Sequence, residues 1–539
     1  MDQFRRDLIK LWGGGLAATS LTVVGASVAH AQPAIAIPRG QEQTSFNVRT
    51  YGATGDGRTI DTAAINKAID AANANGGGTV YFPAGVYASY SIHLKSNVIL
   101  YLEQGCTILA AETPAGGVSS GAYDPAEPNE PWEKYQEYGH NHYHNSLIWG
   151  ENISNFGIVG PGLIWGKGLS NGRKDLPLAE TPGVGNKSIA IRNAHNGILR
   201  DFSILKGGHF AVLVTGVDNL TIDNLKIDTD RDGMDIICCR NVRVTNCSVN
   251  SPWDDAICPK SQFILGYLRS TENLTISNCY VTGSYELGSM LDGTWKKLPA
   301  NTKIARFGRI KCGTESNAGF KNITISNCVF DGSGGFALET VDGAAIEDIT
   351  ITGVIMRDCT NTPLFMRLGA RMRAPEGLPV GTFKRLIVSN VVSYNSLSAF
   401  GGAGLISGIP GHTIEDVKIN EVYMEHVGGG TAEMAGLMPL EEIKHYPDPP
   451  MFGKLPASGF FVRHAKNLEF SNVEIAWSKP DARPVFWMQD VDGVDIFRLK
   501  LPKTYTGPVF NLTDVQDFNV AASRNIADVH LDRIDKKQW

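Results

Sequence analysis

The sequence predicts an all-β chain coiled into a stacked solenoid, and three observations carry that prediction. The stretch LTIDNLKIDTDRDGMDIICCRNVRVTNCSVNSPWDDAICPKS from Leu220 to Ser261 writes one short unit twice. Asn219 aligns with Asn241, Leu220 with Val242, Asn224 with Asn246 and Ile227 with Val249, always twenty-two residues apart. Units of the same kind, such as NLTISNCYV and NITISNCVF, recur toward the carboxyl end, opening at Asn219, Asn241, Asn273, Asn322, Asp348, Arg385, Asp416 and Asn467. Each alternates apolar and polar residues with the period of a half-buried strand. Their irregular spacing means loops of different length between constant strands. Fifty-nine glycines, with frequent Asn and Asp, supply the many turns such a chain needs.

The 539 residues are 42% hydrophobic and 19% charged, enough for a large core and far from the disordered regime. A formal net charge of -6 argues against a nucleic-acid partner. Residues 1–31 read as an address: Arg5-Arg6-Asp7-Leu8-Ile9-Lys10 precedes an apolar run, and Ala29-His30-Ala31 fits a small-residue cleavage site. The twin arginine resembles a Tat signal, which implies a bacterial protein handled by the Tat export machinery, folded before export, and periplasmic or secreted. The competing reading of this run, a membrane anchor, is disfavoured by its shortness and its Gly, Ala, Ser and Thr. The rest of the chain, 32–539, reads as a single domain.

An amphipathic helix opens that domain. Ala63, Ala64, Ile65, Ala68, Ile69 and Ala72 form its stripe, Asp61 or Thr62 can cap its start, and Gly76-Gly77-Gly78 ends it before a strand from Thr79 to Phe82. A helix placed there covers the open end of a strand stack. Asn224, Asn246, Asn278, Asn327, Asn390 and Asn472 hold the sixth place of their units, so either an asparagine ladder or a repeated turn preference is expected. Nine cysteines are an odd number. Cys247, Cys279 and Cys328 recur at one position and read as small buried fillers, and Cys238-Cys239 lacks metal-site spacing. Two insertions stand out. Tyr123–His144 is rich in Tyr, Trp and His, and Glu433–Ser458 carries HYPDPPMFGKLP. Both suit either stacking on sugar at a cleft or packing over the solenoid flank. His93, His140, His142 and His144 do not form a convincing metal pattern.

The chemistry concentrates in the doubled unit. If successive coils lie about 4.8 Å apart, Asp232 falls beside Asp254 and Asp255. Crowded carboxylates raise one another's pKa, and an acid paired with a base is what glycosidic hydrolysis uses. Asp254 and Asp255 can serve one cleft only if the chain bulges or turns there, which Pro252 makes plausible. An alternative reading is calcium, since Asp228, Asp230, Asp232 and Gly233 match the opening of an EF-hand loop. The twelfth place, however, is Cys239 rather than glutamate. A third reading is a structural acidic turn.

These residues resemble glycoside hydrolase family 28, the polygalacturonases, and the segment Tyr51–Tyr87 resembles the amino-terminal cap of pectinase-type β-helices. The resemblance implies a single-stranded right-handed parallel β-helix with an N-terminal capping helix. The family's N-x-D-G and G-D-D motifs match DRDG and WDD, with Asp230 for the asparagine and Trp253 for the glycine. By this resemblance Asp254 is the general acid, Asp232 and Asp255 position and deprotonate water, and configuration inverts. No G-H-G histidine occurs on the coil opened by Asn273; Glu286 stands there as either a third carboxylate or a solvated residue. The family's R-I-K string appears as Arg309-Ile310-Lys311, two cations on one strand face that suit a sugar carboxylate. By coil count it sits one coil early, and Ala337 and Glu339 hold the family's positions. Arg367 and Arg371 are further candidates, read as ion-pair partners.

The expected function is therefore inverting hydrolysis of a pectic polysaccharide, of polygalacturonan or rhamnogalacturonan type, exo-acting if the insertions block the cleft. No cofactor or metal is expected. The partner is a polysaccharide or oligosaccharide, with no nucleic acid and no membrane once the signal is removed. Two rivals remain: a polysaccharide lyase using calcium, and a non-catalytic carbohydrate-binding β-helix.

Overall fold

Every repeat unit stacks in register on the next. Parallel pairing sets Leu220 against Val242, Val242 against Leu274, Leu274 against Ile323 and Ile323 against Ile349, and it continues through Leu386, Val417, Leu468, Val494 and Phe518. The computed structural model describes residues 44–112, 123–172, 180–396 and 404–539. The expected signal at 1–31 lies outside the described residues. No described helix is long and apolar enough to cross a membrane.

One coil runs through three strands. Phe210–Thr215, Asp218–Asp223 and Lys226–Asp228 are followed by Asp232–Ile237, Arg240–Thr245 and Ser248–Asn250 on the coil above. The chain is a right-handed parallel β-helix, as expected. Alternation along each strand sends one face inward, where Val212, Met234, Ile257, Ile310, Phe336 and Leu364 stack in a fully buried column. Each such side chain contributes about 1.5–3 kcal/mol by leaving water. A coil cannot bury this face alone, so the stack is stable only as a stack.

The corners are built by the recurring asparagines. Asn219, Asn241, Asn273 and Asn322 have φ of 54–57°, and Asn224, Asn246, Asn278 and Asn327 have φ of 54–57°. Asn visits this left-handed region more readily than most residues because its short amide bonds locally. The ladder expected at the sixth place has one amide link there, Asn278 donating to Asn246 at 3.4 Å, and it runs further at the first place. Asn322 donates to Asn273 at 3.0 Å and Asn273 to Asn241 at 3.1 Å. Below the Asn278–Asn246 link the sixth-place column passes to aspartates, Asn246 donating to Asp223 and Asn224 to Asp201. The turn preference thus applies at both places, and the amide column is longer at the first.

Both ends are closed. The helix Thr62–Ala74 buries Ile65, Ala68, Ile69 and Ala72. Asp61 holds the N-cap position, yet its carboxylate accepts from the Thr54 and Gly55 backbone amides rather than from the helix. At the other end Val529–Gln538 pairs antiparallel with Phe510–Ala521, and Trp539 packs on Phe510 and Phe518 with ring centroids 5.1 and 5.9 Å away. The helix covers the first coil and the antiparallel strand caps the last, so neither end of the stack exposes its apolar interior.

All nine cysteines are free and buried, and Cys247, Cys279 and Cys328 line one interior column as expected. Burial pushes the Cys238, Cys239 and Cys312 thiols up to about 12, so they hold little thiolate at neutral pH. In a thiol titration with an aromatic disulfide, the native protein is expected to react at none of its cysteines and the guanidinium-denatured protein at all nine. A native count of two or more would contradict the packing.

Candidate active site

The site forms where the repeat breaks. Phe210 pairs with Asp232 at an offset of twenty-two, but Met234 pairs with Ile257 at twenty-three. One extra residue is accommodated in the turn Ser251–Ala256, so Asp255, not Asp254, lies over Asp232; the Gly233 amide bonds the Asp255 carbonyl at 2.9 Å. The turn supplies the irregularity that two adjacent aspartates need to face one cleft. It is clasped by the Ser251 hydroxyl, 2.6 Å from the Arg231 carbonyl and 2.9 Å from that of Asp254, and by the Gly308 amide, which reaches the Ser251 and Asp254 carbonyls. Gly233 is required by this close approach, since a Cβ there would lie 2.4 Å from the Ala256 carbonyl oxygen.

Asp232, Asp254 and Asp255 converge: one carboxylate oxygen from each lies within 4.8 Å of the other two. At such a separation two like charges repel by about 3–4 kcal/mol at an effective dielectric constant of about 20, so the three do not ionise freely together. Burial first, then Asp254, pushes the Asp232 carboxyl well above the usual range. Burial and then Asp255 push Asp254 up as well. Asp255 moves the other way. Against its burial, Arg309 and Lys311 hold it down to about 2. Arg309 Nε lies 2.6 Å and Lys311 Nζ 3.4 Å from its oxygens. Asp232 and Asp255 are buried, whereas the Asp254 side chain keeps 26% of its exposure.

Arg309 and Lys311 flank the core residue Ile310 and share the outward face, as expected from the sequence. Glu286 stands apart in a loop, its carboxylate 2.7 Å from Lys296. Asp228 accepts from the Gly288 and Met290 amides and from Asn250, and Asp230 accepts from the Asn171 amide, so the stretch read as an EF-hand opening forms strand and turn instead. The clustered aspartates have the spacing to hold a cation, as do Glu127, His144 and Glu151. At the aspartates, Arg231, Lys260, Arg309 and Lys311 already supply positive charge. The four histidines disperse: His93 meets Asp124, His140 meets Asp235, His142 meets Asn129, and His144 meets Glu151.

Several contributors were not singled out from the sequence. Arg231, inside the DRD motif, places Nη2 3.0 Å from Asp254. Lys260 pairs with Asp235 and Glu315 at 3.7 and 3.4 Å. The insertion Glu433–Ser458 crosses the same sheet face: the Tyr446 hydroxyl lies 3.1 Å from Lys311 Nζ, Asp448 3.3 Å from Arg309, and Arg367 sits over the Phe452 ring. The Tyr123–His144 insertion packs there too, through Trp132 to the Ile264 carbonyl at 3.1 Å. Arg371 pairs with Asp342, while Arg367 bonds Ser407 and the carbonyls of Gly408, Glu441 and Glu442. A cavity of about 460 Å³, lined by Lys206, Asn171, Asp230, Ser170, Lys167 and Leu287 among others but by none of the three clustered aspartates, adjoins Arg231 through the Asn171 carbonyl.

Removing one partner of a buried ion pair costs about 3–5 kcal/mol because the other charge is stranded. Arg309→Ala is expected to lose that much in urea unfolding at neutral pH, and Arg309→Ala with Asp255→Asn markedly less. A folded-state pKa of about 2 lies below the unfolded value of about 3.9. The contribution of Asp255 is therefore fully present above about pH 4 and lost as the pH falls toward 2. The wild type is expected to show this acid slope, and Asp255→Asn to show a shallower one.

Comparison with known proteins agrees with this architecture. Residues 45–163 match the family described as rhamnogalacturonase A/epimerase, pectate lyase-like, and residues 210–374 match the right-handed β-helix region. An exo-poly-α-D-galacturonosidase of Dickeya chrysanthemi is 30% identical over 177 residues, 33% of this chain and 28% of that protein. A plasmin and fibronectin-binding protein A of Streptococcus pneumoniae is 29% identical over 319 residues, 54% of this chain and 40% of that protein. The chain thus spans well under half the length of these curated relatives. The crystal structure of an exopolygalacturonase from Thermotoga maritima superposes with a TM-score of 0.60 at 18% identity, covering 81% of this chain and 93% of that one, a likeness of fold. By its coils and these matches the chain is a right-handed parallel β-helix protein, and its residues 45–163 are similar to the pectate lyase-like family.

Proposed function

We propose that the protein hydrolyses glycosidic bonds in a pectic polysaccharide or oligosaccharide. One observation carries the reading: of three convergent carboxylates, the solvent-facing one is pushed toward its protonated form while a buried neighbour is held ionised. These are the opposed states that hydrolysis asks of an acid and a base. Asp254, reaching the cleft, protonates the leaving glycosidic oxygen. Asp255, ionised against Arg309 and Lys311, accepts the proton of the attacking water, and Asp232 helps to hold that water. Two oxygens less than 4.8 Å apart can share one water, each bond near the usual 2.7–2.8 Å.

Attack by water from beside Asp232 and Asp255, opposite the departing oxygen, inverts the anomeric centre. Inverting enzymes commonly separate the two carboxyl groups by about 6.5–9.5 Å to fit the water between them. In this proposal the water sits between Asp232 and Asp255, so its place does not depend on the gap to Asp254. We read exo action from the two insertions packed on the sheet face that carries the aspartates. Export by a Tat-type signal at 1–31, to the periplasm or outside, is part of the same proposal, as is a single catalytic domain over 32–539. The likeness to a plasmin and fibronectin-binding protein keeps one rival in play, a non-catalytic β-helix that binds its ligand without cleaving it.

A reducing-sugar assay against homogalacturonan, rhamnogalacturonan and neutral glycans tests the proposal. Asp254→Asn is expected to lower kcat by roughly 10²–10⁴-fold, the usual worth of a general acid, with binding retained. Wild-type binding with no reducing sugar released from any glycan would leave the binding rival. Chelator-sensitive release of unsaturated ends absorbing in the ultraviolet would favour a lyase.

The pH profile supplies a second test. The alkaline limb of kcat/KM tracks loss of the Asp254 proton and is expected above the ordinary carboxylate range, since burial and Asp255 both raise it. Product analysis in the first minutes is expected to show the smallest product alone, and proton NMR to show inverted anomers. Mixed internal fragments would exclude exo action, and retained anomers would exclude the role given to water.

A further inference from the structure

Arg309 and Lys311 sit on the coil next to Asp255, for Ile310 pairs with Ile257 on one side and Phe336 on the other. One coil farther, where the polygalacturonase string belongs, stand Ala337 and Glu339. This shift changes what the two cations can do. A pair one coil removed could face a substrate; a pair on the adjacent coil is drawn into contact with Asp255 itself. Arg309 meets Asp255 at 2.6 Å and Asp448 at 3.3 Å. Lys311 meets Asp255 at 3.4 Å, Glu339 at 3.6 Å and the Tyr446 hydroxyl at 3.1 Å.

Two cations therefore face three carboxylates. Burial pushes Glu339 up to about 7, and even with that carboxyl protonated the balance is two against two. Both cations are also covered, with 3% and 1% of their surface exposed. A sugar carboxylate arriving here would have to displace Asp448 and Tyr446, or add a negative charge to a cluster already neutral or acidic. Buried like charges of this kind are costly. The other cations around the aspartates are committed in the same way, Arg231 to Asp254 and Lys260 to Asp235 and Glu315. Among the described residues lining the 460 Å³ cavity, Lys206 is the one cation without an ion pair, whereas Lys167 pairs with Glu112.

We propose that the sugar bound against the Arg309–Lys311 side of the site is neutral, and that an unesterified uronate is rejected there. This rests on the hydrolase reading above and names the substrate class for that one position. Recognition then runs through hydroxyl groups, and Asp448 and Glu339 act as the specificity-determining residues by occupying the cations.

Oligogalacturonides and the same oligosaccharides after reduction of their carboxyl groups to alcohols form the test pair. Calorimetric binding to the wild-type protein and kcat/KM are both measured. The reduced, neutral series is expected to be preferred by at least tenfold in binding. Equal or tighter binding of the oligogalacturonides overturns the proposal, as does failure to bind either. Asp448→Asn with Glu339→Gln is expected to shift the ratio at least tenfold toward the uronate. A ratio unchanged in that folded variant also overturns it. Neutral preference in binding without hydrolysis of either series would sink the hydrolase reading alone.

Discussion

Everything at the site depends on the backbone ladder between neighbouring coils. Parallel pairing sets Phe210 on Asp232 and Met234 on Ile257, and the turn between them absorbs a single additional residue. That extra residue changes which aspartate lies over which. It sets Asp255 above Asp232 and sends Asp254 outward to solvent, so two chemically identical neighbours acquire different environments. A side chain on a regular strand would not have this freedom, because successive residues point to opposite faces. The repeat supplies the precision and its one interruption supplies the chemistry.

The charges around the three aspartates form a closed account. Arg231 answers Asp254, Arg309 and Lys311 answer Asp255, and Lys260 lies between Asp235 and Glu315. In a low-dielectric interior an unpaired charge is far more expensive than a paired one is valuable, so these partners set protonation more than they set stability. Asp255 is ionised because two cations overcome its burial; Asp232 and Asp254 are raised because nothing comparable overcomes theirs.

The insertions act on this account from outside. Tyr446 and Asp448, both from the Glu433–Ser458 segment, settle on Lys311 and Arg309. Arg463 holds the same segment through the Pro439 and Leu440 carbonyls and Glu441. A loop rich in Pro and aromatic residues is well suited to this work, since it presents flat rings and free carbonyls with little backbone entropy to lose.

The solenoid was legible in the sequence because stacking forces the same period on every coil. Asn219, Asn241, Asn273 and Asn322 recur where a left-handed corner is required, and the alternating apolar residues between them mark the inward face. The three aspartates were legible for the same reason, since a fixed offset of about one coil brings them together. The tertiary structure alone decided that the offset becomes twenty-three at the turn, that the asparagine ladder runs further at the first place than at the sixth, and that Tyr446 and Asp448 cover Lys311 and Arg309. Local periodicity is written into consecutive residues, whereas a one-residue slip and a contact between positions more than a hundred residues apart are settled only when the whole stack competes for the lowest free energy.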